Sequence, residues 1–336
     1  MARDAGWVVT FGEAMVRLTP PGNERLERAT SLDLTIGGAE LNSAATLACL
    51  KVPATWVSRL PDAPLGRAVA RGARSAGVDL THLQWVPESD GRAGVYYLEE
   101  ATDPRASAVY YDRAGSAFAN LPPGAFDWPR ILDGARALHI SGITPALGPG
   151  PRAETMAAIR AANAASVPVA FDLNYRSKLW SEAEARASFV EIVPLVDILF
   201  ASRGALQTFF NLEGDHATVL EAARTRLGVA VTILSRKRGK ASRSVRLGSI
   251  AIGPEGRVIE GPWRAAEVVD RLGGGDAFAG GFIAGYITDH DDLERALALG
   301  AAAQALKHTM PGDLLCATRA EIEAAMTAAD GGVLQR

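Results

Sequence analysis

The chain has 336 residues, of which 48% are hydrophobic and 22% charged, an ordinary composition for a globular protein. Its net charge of -3 excludes a strong basic field and, with it, broad binding of nucleic acid. The two cysteines, Cys49 and Cys316, are far apart and outside any CxxC spacing, which excludes a disulfide framework and a zinc site. Without a secretory signal or an apolar run long enough to span a bilayer, the sequence predicts a cytoplasmic protein with no membrane partner.

Short apolar runs alternate with alanine-rich segments of helical character through most of the chain. Buried strands are predicted over residues 8–11, 55–57, 137–140, 167–172, 198–200 and 231–234. Helices are predicted near residues 40–50, 66–76, 153–165, 182–193 and 216–227. Capping boxes at Ser181/Glu184 and Thr318/Glu321 mark the starts of two helices. Because strands that alternate with helices form βαβ units, the pattern predicts an α/β fold with a largely parallel central sheet.

Two stretches break this alternation. Residues 92–98 and 106–113 are rich in aromatic and β-branched side chains, have no helix between them and are joined by a turn-like segment at residues 101–104. They predict an antiparallel hairpin, which could combine with residues 15–18 and 32–36 into a small second sheet. Such a sheet would suit a lid that excludes water from a reaction. The alternative is an ordinary edge extension of the main sheet.

A run of three glycines precedes an aspartate and an apolar helix late in the chain. Gly273, Gly274 and Gly275 allow the backbone to approach a ligand closely and to expose its amides. The amides at the start of the helix, together with its dipole, favour an anion there. Asp276 stands at the junction, where it could accept a proton from a substrate hydroxyl. The alternative is that Asp276 is an N-cap, a frequent role of aspartate.

Residues 270–278 resemble the C-terminal signature of the ribokinase-like (PfkB) carbohydrate kinases, and residues 37–44 resemble the N-terminal signature of the same family. The two motifs lie far apart and in the expected order, so the resemblance covers nearly the whole chain. It implies a ribokinase-like three-layer α/β/α sandwich with a mostly parallel central sheet and a small β-sheet lid. Residues 1–336 would form a single kinase domain, with lid strands drawn from about residues 13–37 and 92–114.

The family's functional residues can be carried over to matching positions of the two motifs. By resemblance, residues 273–275 form an anion hole for the transferred phosphoryl group, and Asp276 is the general base for the acceptor hydroxyl. The N-terminal motif contacts the sugar, which assigns substrate binding to Gly38, Ala39 and Asn42. The alternative for the paired glycines of that motif is a plain turn between a strand and a helix.

Further segments resemble the subgroup of the family that phosphorylates 2-keto-3-deoxygluconate, at residues 11–18, 110–117, 141–144, 171–176, 179–180 and 311–313. A sugar acid carries a carboxylate, which a planar guanidinium can hold bidentately. The resemblance assigns Arg113 and Arg176 to the acid or phosphate end, although most of the 35 lysines and arginines are expected to be solvated. Strand alternation lets only one of Tyr96 and Tyr97 face a ligand, and Tyr96 is preferred. The remaining substrate contacts are assigned to Tyr96, Tyr111, Ile143 and Asp313.

The nucleotide side departs from the family pattern. Many members carry Asn-x-x-Glu near the metal and phosphates, but residues 202–205 read Ser-Arg-Gly-Ala, so no metal ligand is assigned. ATP and Mg²⁺ remain implied as cofactors, since the ion must shield the phosphates, and a monovalent cation stays open. The basic residues at 236–240 are either a phosphate-facing patch or a solvated loop, and Asp172 is interpreted as a strand-end residue rather than a catalyst. Nucleotide contacts are assigned to Asn174, Ser202, Arg236, Gly239, Gly273 and Gly275.

The leading hypothesis is transfer of the γ-phosphoryl group of ATP to the terminal hydroxyl of a 2-keto-3-deoxy sugar acid. Two alternatives stay open: a kinase for a neutral sugar such as fructose or ribose, and a non-catalytic sugar- or nucleotide-binding protein on the same fold. A dehydrogenase would need Gly-x-Gly-x-x-Gly early in the chain, and residues 37–38 lack that spacing. An apolar face on the lid sheet would favour a homo-oligomer.

Overall fold

Seen in a computed structural model, the protein is described over residues 6–102, 104–238, 244–290 and 292–327. The strands are β1 (Val8–Phe11), β2 (Met15–Thr19), β3 (Asp33–Gly37), β4 (Ala54–Pro61), β5 (Leu83–Val86), β6 (Val95–Glu99), β7 (Ala108–Asp112), β8 (Ala137–Ser141), β9 (Val169–Asp172), β10 (Ile198–Ser202), β11 (Val231–Arg238), β12 (Ser244–Ile252), β13 (Val258–Glu260) and β14 (Arg264–Glu267). The helices are α1 (Ala39–Cys49), α2 (Pro64–Ser75), α3 (Trp128–Leu132), α4 (Ile143–Ala146), α5 (Pro149–Ala164), α6 (Glu182–Ile192), α7 (Arg203–Phe210), α8 (His216–Leu227), α9 (Gly274–Thr288), α10 (Leu293–His308) and α11 (Arg319–Thr327).

The large sheet is mostly parallel, as the alternation of strands and helices predicts. Its order is β13-β12-β11-β10-β9-β8-β1-β4-β5, with β14 also paired to β12. All neighbouring pairs from β11 to β5 run parallel. Because successive side chains point to opposite faces, Val8 packs into one core and Val9 into the other. Helices α1, α2, α9 and α10 cover the first core, and α3 and α5–α8 cover the second, which gives three layers.

One edge of this sheet differs from the sequence prediction. Strand β11 runs to Arg238 instead of ending near residue 234, and β12 pairs antiparallel with β11, β13 and β14. Residues 236–238 therefore belong to a strand, so the expectation of a loop there is wrong, although Lys237 and Arg238 are exposed to solvent as expected. Gly248 in β12 lies under the indole ring of Trp263, where an added Cβ would come within 2.7 Å of ring carbons. Gly239 and Lys240 lie outside the described residues.

The small sheet is separate from the large one, with the order β3-β2-β6-β7. Strand β2 pairs antiparallel with β3 and parallel with β6, and β6 and β7 form the predicted antiparallel hairpin. The alternative of an edge extension is therefore wrong. The register places Tyr96 opposite Tyr111, so both side chains lie on one face of this sheet.

The predicted capping boxes are both present. Ser181 and Glu184 exchange side-chain and backbone hydrogen bonds at the start of α6. Thr318 and Glu321 do the same before α11, with bonds of 2.7 and 3.2 Å. No helix in the described ranges is long and apolar enough to cross a bilayer.

Helices α1 and α9 cross closely, and this crossing brings the two glycine motifs together. An added Cβ at Gly280 of α9 would stand 2.6 Å from the carbonyl oxygen of Ser43 in α1. Both helices begin near the carboxyl ends of the parallel strands, which is where open α/β sheets bind ligands.

Candidate active site

Helix α9 begins at a glycine in a left-handed conformation. Gly273 is the N-cap, with φ 78° and ψ -9°, and an added Cβ would collide with the carbonyl oxygen of Asp313. Only glycine satisfies both the positive φ and this close approach. Asp276 is the third residue of the helix, and its side chain makes no cap bond. The alternative that Asp276 serves as the N-cap is therefore wrong.

Asp276 is held by the N-terminal motif. Asn42 Nδ2 donates to Asp276 Oδ2 at 2.7 Å, and Ser43 Oγ donates to the Asp276 carbonyl oxygen at 3.0 Å. Gly38 is the N-cap of α1, and its amide donates to Asn42 Oδ1 at 3.3 Å. An added Cβ at Gly38 would collide with the carbonyl oxygen of Glu13, so this position needs glycine because of close packing. The two motifs thus form one site.

The carboxyl group of Asp276 has an unusual electrostatic environment. Burial raises its pKa to about 7, because the hydrogen bond from Asn42 only partly offsets the loss of solvation and the Asp172 carboxylate adds repulsion. Arg176 acts in the opposite direction. Burial also raises the pKa of Asp172 to about 6, against the attraction of Arg176. A carboxylate with a pKa near neutrality is suited to accepting a proton at physiological pH.

A cavity of about 430 Å³ opens beside this carboxylate. Four of the residues assigned from the sequence lie on its wall: Asn174, Arg176, Ser202 and Gly275. Nothing lies within 4 Å of an added Cβ at Gly275, so this face of the loop is open to a ligand. Asp172 ends β9, and its Oδ1 accepts the Asn174 amide at 3.0 Å, the strand-end role expected of it.

Arg236 lies outside the lining of this cavity. Its guanidinium donates to the Ser249 carbonyl oxygen at 2.9 Å and pairs with Glu260 at 3.1 Å. It also lies 5.0 Å from the centre of the Trp263 ring, and Arg238 lies 4.3 Å from the same ring. Ser235, one residue earlier in β11, is on the cavity wall instead. Gly239, the other nucleotide residue assigned on this segment, is outside the described residues.

A second group of charges lies where the small sheet meets the glycine loop. Tyr96 Oη donates to Asp313 Oδ2 at 2.7 Å. Arg17 Nη1 donates to Asp313 Oδ1 at 2.9 Å and to Asp270 Oδ2 at 2.6 Å. Arg17 is 3% exposed and Asp313 7%. Burial opposes the charge of Arg17, but the carboxylates of Asp270 and Asp313 outweigh it and raise the pKa of the guanidinium.

The two arginines assigned to the acid end of a substrate have different surroundings. Arg113 is paired with the buried Glu13, to which its Nε donates at 2.8 Å, and its guanidinium lies 5.8 Å from the Tyr111 ring centre. Arg176 is exposed on the cavity wall, and its Nη1 donates to the Tyr175 carbonyl oxygen at 3.2 Å. Within the described ranges Arg176 forms no ion pair at 4 Å or less, so its charge is available to a ligand.

The remaining assigned residues lie at the starts of α1 and α4 and on the small sheet. Ala39 is the first residue of α1, and Ile143 begins α4 directly after β8. The Tyr111 ring is 5.9 Å from that of Tyr96 and is 41% exposed. The small sheet therefore carries two tyrosines toward the glycine loop, one buried and one accessible.

Sequence reasoning did not assign several polar residues that build this site. Glu40 Oε1 accepts the amide and hydroxyl of Ser141 at 2.9 and 2.7 Å and the hydroxyl of Thr144 at 2.9 Å. Arg17 and Glu13 lie within residues 11–18, which resemble the subgroup, but the resemblance assigned no role to either side chain. One signal in the sequence could have identified Glu40: it is a charged residue in a helix that is otherwise uncharged, and this helix is buried from Ala39 to Leu47. Such residues are rarely buried unless they have partners.

The site carries few candidate metal ligands. In the described part of the chain, no three His, Cys, Asp or Glu side chains form a group that could hold a metal ion. The Asp172 carboxylate on the cavity wall fits a magnesium ion that is held largely by nucleotide phosphates and water, and the open amides of the glycine loop can donate to phosphate oxygens.

Comparison with known proteins agrees with this geometry. The family model described as pfkB family carbohydrate kinase matches residues 7–320. The 2-dehydro-3-deoxygalactonokinase of Haloferax volcanii is 39% identical over 328 residues, covering 97% of this chain and 98% of that protein. The crystal structure of 2-dehydro-3-deoxygluconokinase from Thermotoga maritima superimposes with a TM-score of 0.91 at 34% identity, covering 96% and 98% of the two chains. A fructokinase from Xylella fastidiosa with bound ATP shares the fold, with a TM-score of 0.79 at 21% identity over 95% and 98% of the chains.

A glycine loop, a carboxylate of raised pKa and an adjoining cavity define a carbohydrate kinase of ribokinase-like fold. The chain belongs to the pfkB family of carbohydrate kinases. Relatives that are named as kinases of dehydro-deoxy sugar acids cover almost its whole length.

Proposed function

We propose that this enzyme transfers the γ-phosphoryl group of ATP to the terminal hydroxyl of a 2-keto-3-deoxy sugar acid. The observation that carries the proposal is the Asp276 carboxylate, which has a neutral hydrogen-bond partner in Asn42 and stands beside an open glycine loop. Sequence similarity to kinases of dehydro-deoxy sugar acids supports this acceptor class.

Asp276 is the proposed general base. With its pKa raised to about 7 by burial, it is substantially ionised at pH 7.5 and can accept the proton of the acceptor hydroxyl. Asn42 holds the carboxylate in one orientation by donating to Oδ2, which leaves Oδ1 for the hydroxyl. Because phosphoryl transfer depends mainly on positioning and charge stabilisation, this orientation matters as much as basicity.

The start of α9 is the proposed anion hole. The amides of Gly274 and Gly275 belong to the first turn of the helix, where backbone donors lack partners within the helix. Together with the helix dipole they would stabilise charge on the transferring phosphoryl group. Magnesium, when bound with the nucleotide, would neutralise further charge on the phosphates.

Arg176 is the proposed contact for the negatively charged part of the ligands. Its guanidinium is on the cavity wall and acts electrostatically on both Asp172 and Asp276. Arg113 is proposed to contribute from the small sheet, with Glu13 fixing its orientation. Asp313 and Tyr96 would contact sugar hydroxyls at the opposite end of the site.

The test is a measurement of ADP formation with Mg-ATP and four acceptors in parallel: 2-keto-3-deoxygalactonate, 2-keto-3-deoxygluconate, fructose and ribose. We expect kcat/KM for at least one sugar acid to exceed that for either neutral sugar by about 100-fold, because a lost charge-assisted contact costs roughly 1.5–3 kcal/mol. Phosphorus NMR of the product checks that the terminal hydroxyl is the acceptor. Turnover of fructose or ribose alone would contradict the acceptor class.

We also propose a cytoplasmic enzyme, since both cysteines are unpaired and ATP is abundant in that compartment. Association through the small sheet remains a further proposal, supported by the exposure of Leu34 and Tyr110.

A further inference from the structure

Helix α10 carries a lysine with no exposed surface. Lys307 is 0% exposed and lies one residue before the end of the helix. Its Nζ donates to the carbonyl oxygen of Met310 at 3.1 Å. Burial lowers the pKa of this ammonium group, so an environment that keeps it charged must supply compensating negative charge.

The compensating charges belong to the active site. The carboxylates of Asp270 and Asp313 act most strongly to keep Lys307 protonated, and Asp276 acts in the same direction. Arg17 opposes them from the small sheet. Within the described residues, Nζ forms no ion pair at 4 Å or less, so these carboxylates act on the ammonium at a distance, and its direct contact is the Met310 carbonyl oxygen.

A series of hydrogen bonds and close contacts connects Lys307 to the glycine loop. Met310 lies in the turn that follows α10, and two residues later the Gly312 amide donates to Asp270 Oδ2 at 2.9 Å. The other oxygen of Asp270 accepts the Leu272 amide at 3.0 Å. The carbonyl of Asp313 in this turn lies directly against Gly273. A displacement of the turn would therefore move the start of α9.

We propose that the Lys307 ammonium is a built-in monovalent cation, which positions the glycine loop and makes the enzyme independent of added potassium or sodium. An ammonium group that donates to a carbonyl oxygen and is attracted by more distant carboxylates carries the same unit charge as a bound alkali cation. The sequence left a monovalent cation open as a cofactor, and Lys307 supplies that charge from the chain itself. Lys307 is a positioning residue, and its effect on turnover rests on the proposed kinase activity.

The experiment compares wild type, Lys307→Ala and Lys307→Met in potassium chloride and in tetramethylammonium chloride, a cation too large for the vacated space. Each protein is measured twice, by ADP formation with the best sugar acid and by thermal unfolding without substrates. Lys307→Ala removes the ammonium and leaves room for an ion. Lys307→Met removes the charge and keeps most of the volume, so it is the matched control.

Wild type should show the same kcat and Tm in both salts. In tetramethylammonium, Lys307→Ala should lose about 10²-fold in kcat, with a smaller change in KM for ATP, because the anion hole is displaced. For Lys307→Ala, potassium or ammonium ions at ~100 mM should raise kcat at least about tenfold above its value in tetramethylammonium and raise Tm by several degrees. Lys307→Met should lose activity to a similar extent and gain nothing from either ion.

Several results would overturn the inference. One is a wild type that loses about tenfold or more in tetramethylammonium; another is a Lys307→Ala protein that behaves identically in the two salts. A Lys307→Ala chain that stays unfolded in both salts would overturn it as well, because the ion then fails to replace the ammonium. If wild type turns over none of the sugar acids, the proposed function fails, while the salt-specific shift in Tm still tests Lys307.

Discussion

The site contains two carboxylates, the half-buried Asp276 and the buried Asp313, whose hydrogen-bond partners differ. Asp313 has Arg17 on one oxygen at 2.9 Å and the Tyr96 hydroxyl on the other at 2.7 Å. Asp276 has the neutral amide of Asn42 on one oxygen, and its other oxygen is directed at no described donor. Both oxygens of Asp313 therefore already accept a hydrogen bond, whereas one oxygen of Asp276 accepts none from the described residues.

This difference supports the proposed role of Asp276 as the base, because only its carboxylate has an oxygen left for the acceptor hydroxyl. An arginine in direct contact would act to lower the pKa of Asp276, although at Asp313 burial still raises the pKa against the opposing effects of Arg17 and Tyr96. Since the hydrogen-bond partner of Asp276 is the neutral Asn42 and not an arginine, burial is the dominant influence and raises the pKa of Asp276 to about 7. Without Arg17, the Asp313 carboxylate would be an uncompensated charge in the interior, so an arginine is required there.

The largest expected effect comes from replacing the reactive carboxylate. Asp276→Asn should lower kcat by about 10²–10⁴-fold, because the amide cannot accept the hydroxyl proton, while ATP binding measured by calorimetry stays within about threefold of wild type. Asp292→Asn is the matched control: Asp292 also stands at a helix start, where it accepts the Arg295 amide at 2.8 Å, but far from the cavity. Equal activity of Asp276→Asn and Asp292→Asn would remove Asp276 from the mechanism.

Replacing Arg17, the cation that pairs with Asp270 and Asp313, should mainly affect the stability of the fold. Arg17→Met should lower the free energy of unfolding by about 3–5 kcal/mol in urea titrations, because Asp270 and Asp313 lose their partner in the interior. Arg25→Met is the control, since Arg25 and Glu27 are exposed and 3.9 Å apart, and such pairs contribute about 0–1 kcal/mol. A change below about 1 kcal/mol for Arg17→Met would mean that the cluster does not hold the site together.

A smaller, substrate-selective effect is expected at the cavity wall. Arg176→Met should raise KM for the sugar acid or for ATP by about 10–100-fold, because a charge-assisted contact is lost. Arg203→Met is a suitable comparison, since Arg203 is exposed and donates to the Gly214 carbonyl oxygen at 3.2 Å. If KM for both substrates stayed at the wild-type value in Arg176→Met, the guanidinium would have no part in binding.

The smallest expected effect is a shift in pH dependence. Asp276 must be ionised to act as a base, so kcat/KM for the sugar should fall with unit slope as pH drops below an apparent pKa near 7. Asn42 stabilises the ionised form, and Asn42→Ala should therefore move this limb to higher pH by about one unit. A limb that stays in place in Asn42→Ala would assign the titration to another group.

Local patterns predicted much of the fold. Hydrophobic alternation located β1 and α8 at their observed bounds, and the Ser181 capping box marked the start of α6. These features depend on residues a few positions apart, so they can be recognised in one sequence. Strands β12 to β14 were missed because their pairing interrupts the alternation of strands and helices on which the parallel-sheet prediction depended.

The site residues that belong to sequence motifs could be predicted, whereas those that are defined by contacts between distant parts of the sequence could not. The two glycine motifs pointed to Asn42 and Asp276, and the structure joins them by a hydrogen bond. Arg17 contacts Asp270 and Asp313 across 253 and 296 positions of sequence, and no local pattern encodes such pairs. The aspartate preference for N-caps also gave a misleading alternative at Asp276, because Gly273, three residues earlier, takes that position with a positive φ.

The hydrogen bond between Asn42 and Asp276 has a consequence for biosynthesis. The two residues are 234 positions apart, so a ribosome that adds 5–20 residues per second produces Asn42 roughly 10–50 s before its partner. During that interval the nascent chain can fold its early βαβ units, but it lacks the residues of the proposed base and the proposed anion hole. The two halves of the proposed site are therefore joined only late in translation.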